Sequence, residues 1–334
     1  MATRLQFSRG VFDVIIIGGG PAGLSAALVL ARCRRRLLIC DSHEPRNARS
    51  AALHGFLSRD GVPPLELLRI GREELLPYGV EPRQTTVTAL TQVDGMFEAT
   101  LDDQQKVRAR IALIATGVRD YLPDVPGLQE CYGVTVHHCP YCDGWEHRDQ
   151  TIAVIGRGSS GAGLALSLKT WTTHVVLCTD GTRGIRPRDR QQLAREGIEV
   201  RTKKIVRVDH DGPHVRALVF ADRSSAPCEA IFFSGRQSQQ CDIAARLGCA
   251  MNRGGVVKTG DLGETHLPGL YVVGDASRDV QFAIVAAAEG AKAAVAINKA
   301  LQAYAGLVPE SVSNEPPARV EDERQADGQT AHTR

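Results

Sequence analysis

The sequence lacks a long hydrophobic run and a strong excess of charge of one sign. The longest apolar run near its start covers residues 14–17, which is far too short to span a bilayer and indicates a buried strand. We see no basic segment leading into an apolar one, so we expect no signal peptide. The formal net charge is +2 over 334 residues, which gives no reason to expect nucleic acid or a membrane as partner.

The sequence also has few cysteines for its length. Nine cysteines in 334 residues are too sparse for the disulfide scaffold of a small secreted protein, so we expect a cytoplasmic protein. Most of them are predicted to be small buried hydrophobic residues. Cys139 and Cys142 are different, because two residues separate them, and this spacing is common in redox-active dithiols and in metal sites.

A glycine-rich loop follows the first predicted strand, residues 12–17. Its pattern is Gly18-x-Gly20-x-x-Gly23, and a helix of small residues comes next. In dinucleotide-binding folds such glycines permit a tight turn, let the backbone approach a pyrophosphate and let the helix pack on the strand. The free N–H groups at the start of the helix bind the phosphates. A second predicted strand ends at Asp41, close to the position of the acid that binds a ribose hydroxyl.

The same pattern recurs in the second half of the chain. A predicted strand at residues 151–155 leads into Gly156-x-Gly158-x-x-Gly161, and the next strand is followed by Asp180 in the place of the ribose acid. The recurrence predicts two Rossmann-like units. The cysteine pair lies between the two loops, which suggests an electron path from one carrier, through a second carrier, to sulfur.

These motifs resemble those of the low-molecular-weight thioredoxin reductases over roughly residues 11–304. The resemblance rests on the two glycine loops together with Ala115-Thr116-Gly117, Cys139-x-x-Cys142-Asp143-Gly144 and Gly274-Asp275. It implies an α/β fold with two Rossmann-like dinucleotide-binding domains, the second inserted into the first. It also implies FAD at the first loop, NADPH at the second, and a homodimer. In that family a domain rotation carries the dithiol between the flavin and its substrate.

The resemblance and the loop-rich stretches together predict four segments. They are the first part of the FAD-binding domain (1–119), the inserted domain with the cysteine pair (120–240), the second part of the FAD-binding domain (241–306) and a tail (307–334). The tail is rich in proline and charged residues and is predicted to be disordered. The expected partner is a thioredoxin-like protein or a small dithiol or disulfide.

The resemblance also assigns roles to individual residues. Cys139 and Cys142 would form the redox pair, with Cys142 nearer the flavin and Asp143 as acid–base partner; this suits thiol–disulfide exchange, because the leaving thiolate needs a proton. The expected FAD-binding residues are Gly18, Gly20, Pro21, Ala22, Gly23, Asp41, Asn47, Thr116, Gly117, Gly274, Asp275 and Phe282. Those for a second dinucleotide are Gly156, Gly158, Ser159, Gly161 and Asp180.

Three departures from the family pattern leave the electron donor open. The NADPH enzymes carry basic residues where this chain has Asp180, and an acid there repels a 2′-phosphate; Arg183 or Arg186 could reverse that preference. Phe282 takes the place of a glutamine beside the flavin. The loop at residues 46–55 lacks the family's Gly-Gly-Gln and resembles a divergent branch. That branch includes thiol oxidases and reductases fed by ferredoxin or by a second flavin.

Several alternatives therefore stay open. NADH, NADPH or a second FAD could occupy the second loop, and the enzyme could be a dithiol oxidase that uses oxygen. The thiol oxidases tend to place histidine where this chain has Asp143, which argues against that interpretation. A non-catalytic redox sensor with a zinc site at His137, His138, Cys139, Cys142 and His147 is less favoured, because zinc usually takes ligand pairs from two segments. We expect no metal.

Overall fold

The computed structural model describes residues 10–182, 184–252, 254–277 and 280–307. Its strands are β1 (Val11–Ile17), β2 (Leu37–Asp41), β3 (Arg83–Gln84), β4 (Val87–Val93), β5 (Met96–Leu101), β6 (Lys106–Ile114), β7 (Val118–Tyr121), β8 (Val136–His137), β9 (Ile152–Ile155), β10 (Val175–Cys178), β11 (Glu199–Arg201), β12 (Ile205–Asp211), β13 (His214–Phe220), β14 (Ser225–Pro227), β15 (Ala230–Phe233), β16 (Arg236–Gln239) and β17 (Leu270–Val272). Its α-helices are α1 (Pro21–Arg32), α2 (Pro64–Glu73), α3 (Leu128–Cys131), α4 (Pro140–Asp143), α5 (Gly158–Leu168), α6 (Pro187–Arg195), α7 (Ile243–Arg246) and α8 (Ala283–Tyr304), with 3-10 turns at Leu76–Tyr78 and Gly274–Ala276.

The first sheet has the strand order β3-β2-β1-β6-β5-β4, and β17 also pairs with β6. Strand β1 runs parallel to β2 and β6, and β17 runs parallel to the second half of β6. The β-branched residues at positions 14–17 of β1 are buried on both faces, as expected for a central parallel strand. Helices α1 and α8 cover one face of this sheet. The carboxyl ends of β1, β2, β6 and β17 therefore meet at one edge.

The second sheet has the order β11-β10-β9-β15-β8, and all its pairs are parallel. Helices α5 and α6 pack on one face through small and aliphatic side chains. A three-stranded antiparallel sheet, β12-β13-β14, packs on the other face. Each of these two sheets has a glycine loop between a central parallel strand, β1 or β9, and the helix that follows it. The predicted α/β fold with two Rossmann-like units is therefore confirmed.

A short antiparallel pair, β7 with β16, joins the two units. The sequence analysis predicted only loops and boundaries in these places. The predicted division between residues 119 and 120 falls inside β7, and the one after residue 240 follows the end of β16. Both strands are four residues long and mostly polar, so they lack the apolar run or alternation by which a strand is predicted from sequence.

The sequence also predicts one strand over residues 198–208, and this prediction is wrong. These residues do not form a single strand, because β11 belongs to the parallel sheet and β12 to the antiparallel one. The polar residues between them form the turn, and the carboxylate of Asp180 accepts a hydrogen bond from the N–H of Ile205. The predicted tail lies outside the described residues except for Leu307. In the described ranges, no helix is long and apolar enough to cross a membrane.

Candidate active site

The first glycine loop brings its backbone close to neighbouring chain segments. A Cβ atom on Gly18 would lie 2.4 Å from the carbonyl oxygen of Ala115, and one on Gly23 would lie 1.9 Å from the carbonyl oxygen of Gly18. Gly18 also has a φ of +112°, which favours glycine. By contrast, the space beside Gly20 is open, and no side chain caps α1. The start of α1 is therefore free to receive a phosphate, so this cradle fits the pyrophosphate of FAD.

This loop opens onto a cavity of about 570 Å³ at the carboxyl edge of the first sheet. All the residues expected to bind FAD line it except Gly23, which packs α1 against the loop instead. The expected residues that line it are Gly18, Gly20, Pro21, Ala22, Asp41, Asn47, Thr116, Gly117, Gly274, Asp275 and Phe282. The cavity has the size of a ligand pocket and combines an apolar lining with a few polar groups, as cofactor sites do.

The cysteine pair lines the same cavity. Cys139 and Cys142 form a disulfide with a Cα–Cα distance of 5.3 Å. Cys139 caps α4, because its sulfur accepts a hydrogen bond of 3.1 Å from the N–H of Cys142. Pro140 occupies the first turn and suits the start of a helix. Asp143, the last residue of α4, also borders the cavity. A disulfide and a carboxyl group therefore face the volume in which the first loop would hold a cofactor.

Asp143 lies next to a buried histidine. Its Oδ1 lies 3.2 Å from Nδ1 of His137. The other ring nitrogen of His137, Nε2, lies 2.9 Å from Nε2 of His147 and 3.1 Å from the carbonyl oxygen of Val134. His147 in turn contacts Gln150 through Nδ1 at 2.9 Å. Burial lowers the pKa of His147 below its ordinary value.

A partly buried arginine, Arg46, which no sequence motif singles out, connects the cavity to the segment that carries the dithiol. Arg46 donates hydrogen bonds to both carboxylate oxygens of Asp120, to Asp275 at 2.8 Å and to the amide oxygen of Gln281 at 2.7 Å. Its Nη2 also lies 3.0 Å from Nε2 of His138, the neighbour of Cys139. The arginine precedes the predicted inserted segment in sequence and contacts residues within it and after it.

The charges in this network support one another. Burial opposes the charge of Arg46, but its hydrogen bond to Asp120 and the nearby carboxylates outweigh burial and raise the Arg46 pKa. Burial likewise acts to raise the pKa of Asp120, yet the hydrogen bond from Arg46 and the other partners hold it below the ordinary value. Burial lowers the pKa of His138. His138 is therefore neutral near pH 7, and its Nε2 can accept a hydrogen bond from Arg46.

Nothing in the local sequence marks Arg46 as part of a charge network. The only available signal is its place directly before Asn47, one of the residues expected to bind FAD. Asp120 and Gln237 lie in β7 and β16, which were taken for loops, and Gln237 donates a hydrogen bond of 2.8 Å to Asp120. Gln281 comes directly before Phe282. Of the four residues of this network, only Arg46 and Gln281 lie next to a predicted cofactor-binding residue in the sequence.

The second glycine loop folds as predicted. Asp180, the acid expected to bind a ribose hydroxyl beside this loop, is already hydrogen-bonded to two cationic side chains. The backbones of Gly156 and Gly161 touch, since a Cβ on the first would lie 2.6 Å from the Cα of the second. Asp180 accepts hydrogen bonds from Lys204 at 3.0 Å and from Arg157 at 2.9 Å. Burial acts to raise the pKa of Asp180, but these partners hold it below the ordinary value. The carboxylate is therefore ionised and flanked by two cations.

A further acid, Asp189 of α6, lies against the start of α5. Ser159 donates a hydrogen bond of 2.7 Å to Asp189, and Arg186 also pairs with Asp189 at 3.0 Å. Arg186 is thus engaged away from Asp180, while Arg183 lies outside the described residues. Across the described part of the chain, no group of three or more His, Cys, Asp or Glu residues is arranged to hold a metal ion.

Comparison with known proteins agrees with this site. Residues 12–290 match the family described as pyridine nucleotide-disulphide oxidoreductase. A protein of Arthroderma benhamiae called "Probable thioredoxin reductase" is 30% identical over 301 residues, which cover 80% of this chain and 74% of that protein. The thioredoxin reductase of Mycolicibacterium smegmatis is 28% identical over 304 residues, covering 87% and 97%. The crystal structure of an oxidoreductase from Agrobacterium tumefaciens has a TM-score of 0.81 at 32% identity, covering 87% and 98%.

The chain belongs to the pyridine nucleotide-disulphide oxidoreductases. Within that family it is a thioredoxin-reductase-like enzyme, an FAD-dependent disulfide oxidoreductase. The predicted family and enzyme class are therefore confirmed. The family implies FAD and a pyridine nucleotide as cofactors, and the cradle at Gly18 to Gly23 fits the first of these.

Proposed function

We propose that this enzyme passes electrons between FAD, the Cys139–Cys142 pair and a thioredoxin-like protein or a small dithiol or disulfide. The proposal is carried by one observation: the disulfide lines the same cavity as the first glycine loop and Asp275. FAD, when bound there, supplies a two-electron carrier next to sulfur. A homodimer in the cytoplasm is part of the proposal, through the resemblance to the thioredoxin reductases.

The residues around the cavity divide the work of holding FAD. When FAD is bound, the start of α1 would hold the pyrophosphate, Asp41 a ribose hydroxyl and Asp275 the ribityl chain. Asp41 is supported in this role by its place at the end of β2, where Arg72 and the N–H of His43 already fix its carboxylate. Phe282 directly precedes α8 and borders the cavity, so it would offer an aromatic side chain to the bound FAD.

The dithiol then reacts with its partner by thiol–disulfide exchange. A cysteine thiolate attacks the partner's disulfide, a mixed disulfide forms, and the partner's leaving sulfur takes a proton. The second cysteine gives up its proton and attacks the mixed disulfide, which restores Cys139–Cys142 and releases a dithiol. Asp143 carries the proton at each step, because it follows Cys142 directly and a carboxyl group there can accept and return it.

For the electron donor, the proposal favours NADH over NADPH. The support is Asp180, which is ionised and stands where a ribose 2′-hydroxyl would bind. The two cations nearby, Lys204 and Arg157, already pair with this carboxylate. An added 2′-phosphate would have to displace it from them.

An anaerobic titration tests the proposal. Bound FAD per chain is measured first, and flavin bleaching is then followed after adding NADH, NADPH or a dithiol in separate samples. Rapid bleaching by NADH, with slower bleaching by NADPH, agrees with the proposal when the reduced protein also reduces a thioredoxin disulfide. Bleaching by a dithiol alone contradicts it, and two FAD per chain would indicate a second flavin as donor.

A second candidate function is the oxidation of a dithiol by oxygen. One observation favours it: the carboxylate of Asp189 is hydrogen-bonded to Ser159 in the first turn of α5, where the pyrophosphate of a nicotinamide cofactor would bind. A negative charge there weakens the binding of an anion. Release of hydrogen peroxide when a dithiol is added in air, without any nicotinamide cofactor, would favour this candidate over the first.

A further inference from the structure

The start of α5 is the place where the second glycine loop would receive a pyrophosphate. In Rossmann-like units the pyrophosphate of a dinucleotide lies at the start of the helix that follows the loop. The N-cap residue of α5, Arg157, makes no capping hydrogen bond with its side chain. Of the two serines in the first turn, Ser160 donates its hydroxyl to Ser234 at 3.0 Å, and Ser159 donates to a carboxylate of α6.

That carboxylate belongs to Asp189 and is held by two donors. Its Oδ2 accepts a hydrogen bond of 2.7 Å from Ser159 and one of 3.0 Å from Nε of Arg186. The side chain of Asp189 is only 13% exposed, whereas that of Arg186 is 67% exposed. The hydrogen bond from Ser159, and then the one from Arg186, hold the pKa of Asp189 below its ordinary value. A mostly covered negative charge therefore lies against the first turn of α5 near pH 7.

The place of Asp189 in its own helix explains only part of this arrangement. Asp189 is the third residue of α6, and an acid near the start of a helix is favoured by the helix dipole. A carboxylate that served α6 alone would need no contact with α5. The hydrogen bond from Ser159 instead joins the starts of two helices across 30 residues.

The two acids beside the second loop differ in what they can offer a dinucleotide. The carboxylate of Asp180 can accept a hydrogen bond from a ribose hydroxyl. An ionised Asp189 can only accept hydrogen bonds, and so can a pyrophosphate at neutral pH, because neither has a hydrogen to donate. The two anions therefore compete for the same donors, Ser159 and Arg186.

We propose that Asp189 is a specificity-determining residue of the second nucleotide site: its carboxylate occupies the place of the pyrophosphate, and a dinucleotide binds only when Ser159 and Arg186 exchange this carboxylate for a phosphate. The inference rests on the proposed function in taking the second loop as a nucleotide site. It applies equally to NADH, NADPH and a second FAD, since all three carry a pyrophosphate. It is therefore separate from the choice between NADH and NADPH at Asp180.

The test is the affinity of the oxidised holoenzyme for ADP-ribose, measured by isothermal titration calorimetry. Asp189→Asn removes the charge and keeps an oxygen that can accept from Ser159. We expect ADP-ribose to bind about tenfold more tightly, because one unit charge no longer repels the pyrophosphate. If the wild-type protein binds ADP-ribose too weakly to measure, then measurable binding by the variant alone is the same result. Adenosine, which has no phosphate, should bind both proteins equally.

A second variant tests the exchange of partners. Adding Arg186→Gln to Asp189→Asn removes the arginine that would pair with the phosphate, so we expect ADP-ribose to bind severalfold more weakly than to Asp189→Asn alone. The matched control is Asp209→Asn, which removes the exposed partner of Arg207 in β12 and should leave the affinity unchanged. Bound FAD per chain and the melting temperature, measured for each protein, show whether the fold is retained.

Three outcomes would overturn the inference. An unchanged affinity in Asp189→Asn would mean that the carboxylate serves only α6. An equal gain for adenosine would show that the substitution acts on the site in general and not on the pyrophosphate. A double variant that binds as tightly as Asp189→Asn would contradict the transfer of Arg186 to the phosphate.

The two proposals can fail separately, because the binding assay involves no electron transfer. A protein whose flavin no nicotinamide reduces, but whose Asp189→Asn variant binds ADP-ribose more tightly, would contradict the proposed reductase and support the role of Asp189. A protein that NADH reduces rapidly, and whose Asp189→Asn variant shows no gain, would do the opposite.

Discussion

Arg46 and Asp120 form a two-pronged ion pair, with Nε to Oδ2 at 2.5 Å and Nη2 to Oδ1 at 2.7 Å. Asp120 belongs to β7, the strand that leads into the segment carrying the dithiol. Through its other contacts Arg46 also reaches Asp275 and His138. A bidentate arginine–carboxylate pair of this kind fixes the relative orientation of the two side chains as well as the distance between them. The ion pair therefore helps to set the arrangement in which the disulfide faces the cavity.

The first prediction concerns Asp120→Asn. The side chains of Arg46 and Asp120 are only 18% and 7% exposed, so removing one charge leaves a buried, less well paired arginine. Breaking a buried pair costs about 3–5 kcal/mol, and we expect about 1–3 kcal/mol here because Arg46 keeps Asp275. The free energy of unfolding in urea measures this. Asp103→Asn is the matched control, since its pair with Arg83 is exposed and should contribute under about 1 kcal/mol; equal effects would contradict the prediction.

A second prediction is that stability falls on mild acidification because of His138 and His147. Burial lowers the pKa of both in the folded protein. An unfolded histidine titrates near about 6.5, so below that pH the unfolded chain binds more protons and is favoured. The stability that depends on neutral His138 and His147 is thus present above about pH 6.5 and is lost as the pH falls towards their folded pKa values.

Urea unfolding at several pH values between about 7 and about 5 measures this dependence. We expect His138→Asn and His147→Asn each to flatten the slope of unfolding free energy against pH, while exposed His174→Asn leaves it unchanged. A slope that stays the same in both buried variants would show that other groups control the acid sensitivity.

A functional residue could be predicted from the sequence when it belongs to a short motif with fixed spacing. The cradle at Gly18 to Gly23 and the pair Cys139–Cys142 were found, because glycine spacing and cysteine spacing are each set by contacts within a few residues. Asp120 and Arg46 were missed, because their contact joins positions 74 residues apart, and neither residue stands in a motif. The charge network is a property of the fold and not of any short stretch.

The predicted role of Asp180 illustrates the same limit. Its place after the second strand was read correctly, but its partner Lys204 lies 24 residues further on, in the turn that divides a strand predicted to be continuous. Residues 198–208 were predicted as one uninterrupted strand. Lys204 was therefore not expected to lie in a turn and to pair with Asp180 beside the second glycine loop.

The third prediction follows from that contact. Asp180→Asn removes the charge that pairs with Lys204 and Arg157, so both cations become available to a 2′-phosphate. We expect the preference for NADH over NADPH, measured as the ratio of flavin bleaching rates without oxygen, to shift about tenfold towards NADPH, or by about 1.4 kcal/mol. Asp222→Asn is a suitable control, because it removes the exposed partner of Lys203 without touching the loop. An unchanged ratio would mean that Asp180 does not select the nucleotide.

The fourth prediction tests the packing that places the first glycine loop. Gly290 of α8 lies against α1, and a Cβ there would be 2.0 Å from the backbone oxygen of Ala22. Gly290→Ala must push the two helices apart, which we expect to cost about 1–3 kcal/mol and to weaken FAD retention, since Ala22 borders the cavity. Gly163→Ala is the control inside another helix, where a Cβ meets nothing within 4 Å.

The two substitutions should change the free energy of unfolding in opposite directions. Alanine is favoured over glycine inside a helix by about 1 kcal/mol, so Gly163→Ala should stabilise the protein slightly and leave its FAD content unchanged. Thermal unfolding and the ratio of flavin to protein absorbance measure both quantities in one preparation. If Gly290→Ala were as stable as Gly163→Ala and kept its FAD, then α1 and α8 could separate without disturbing the loop, and their close contact would not be what positions the cofactor.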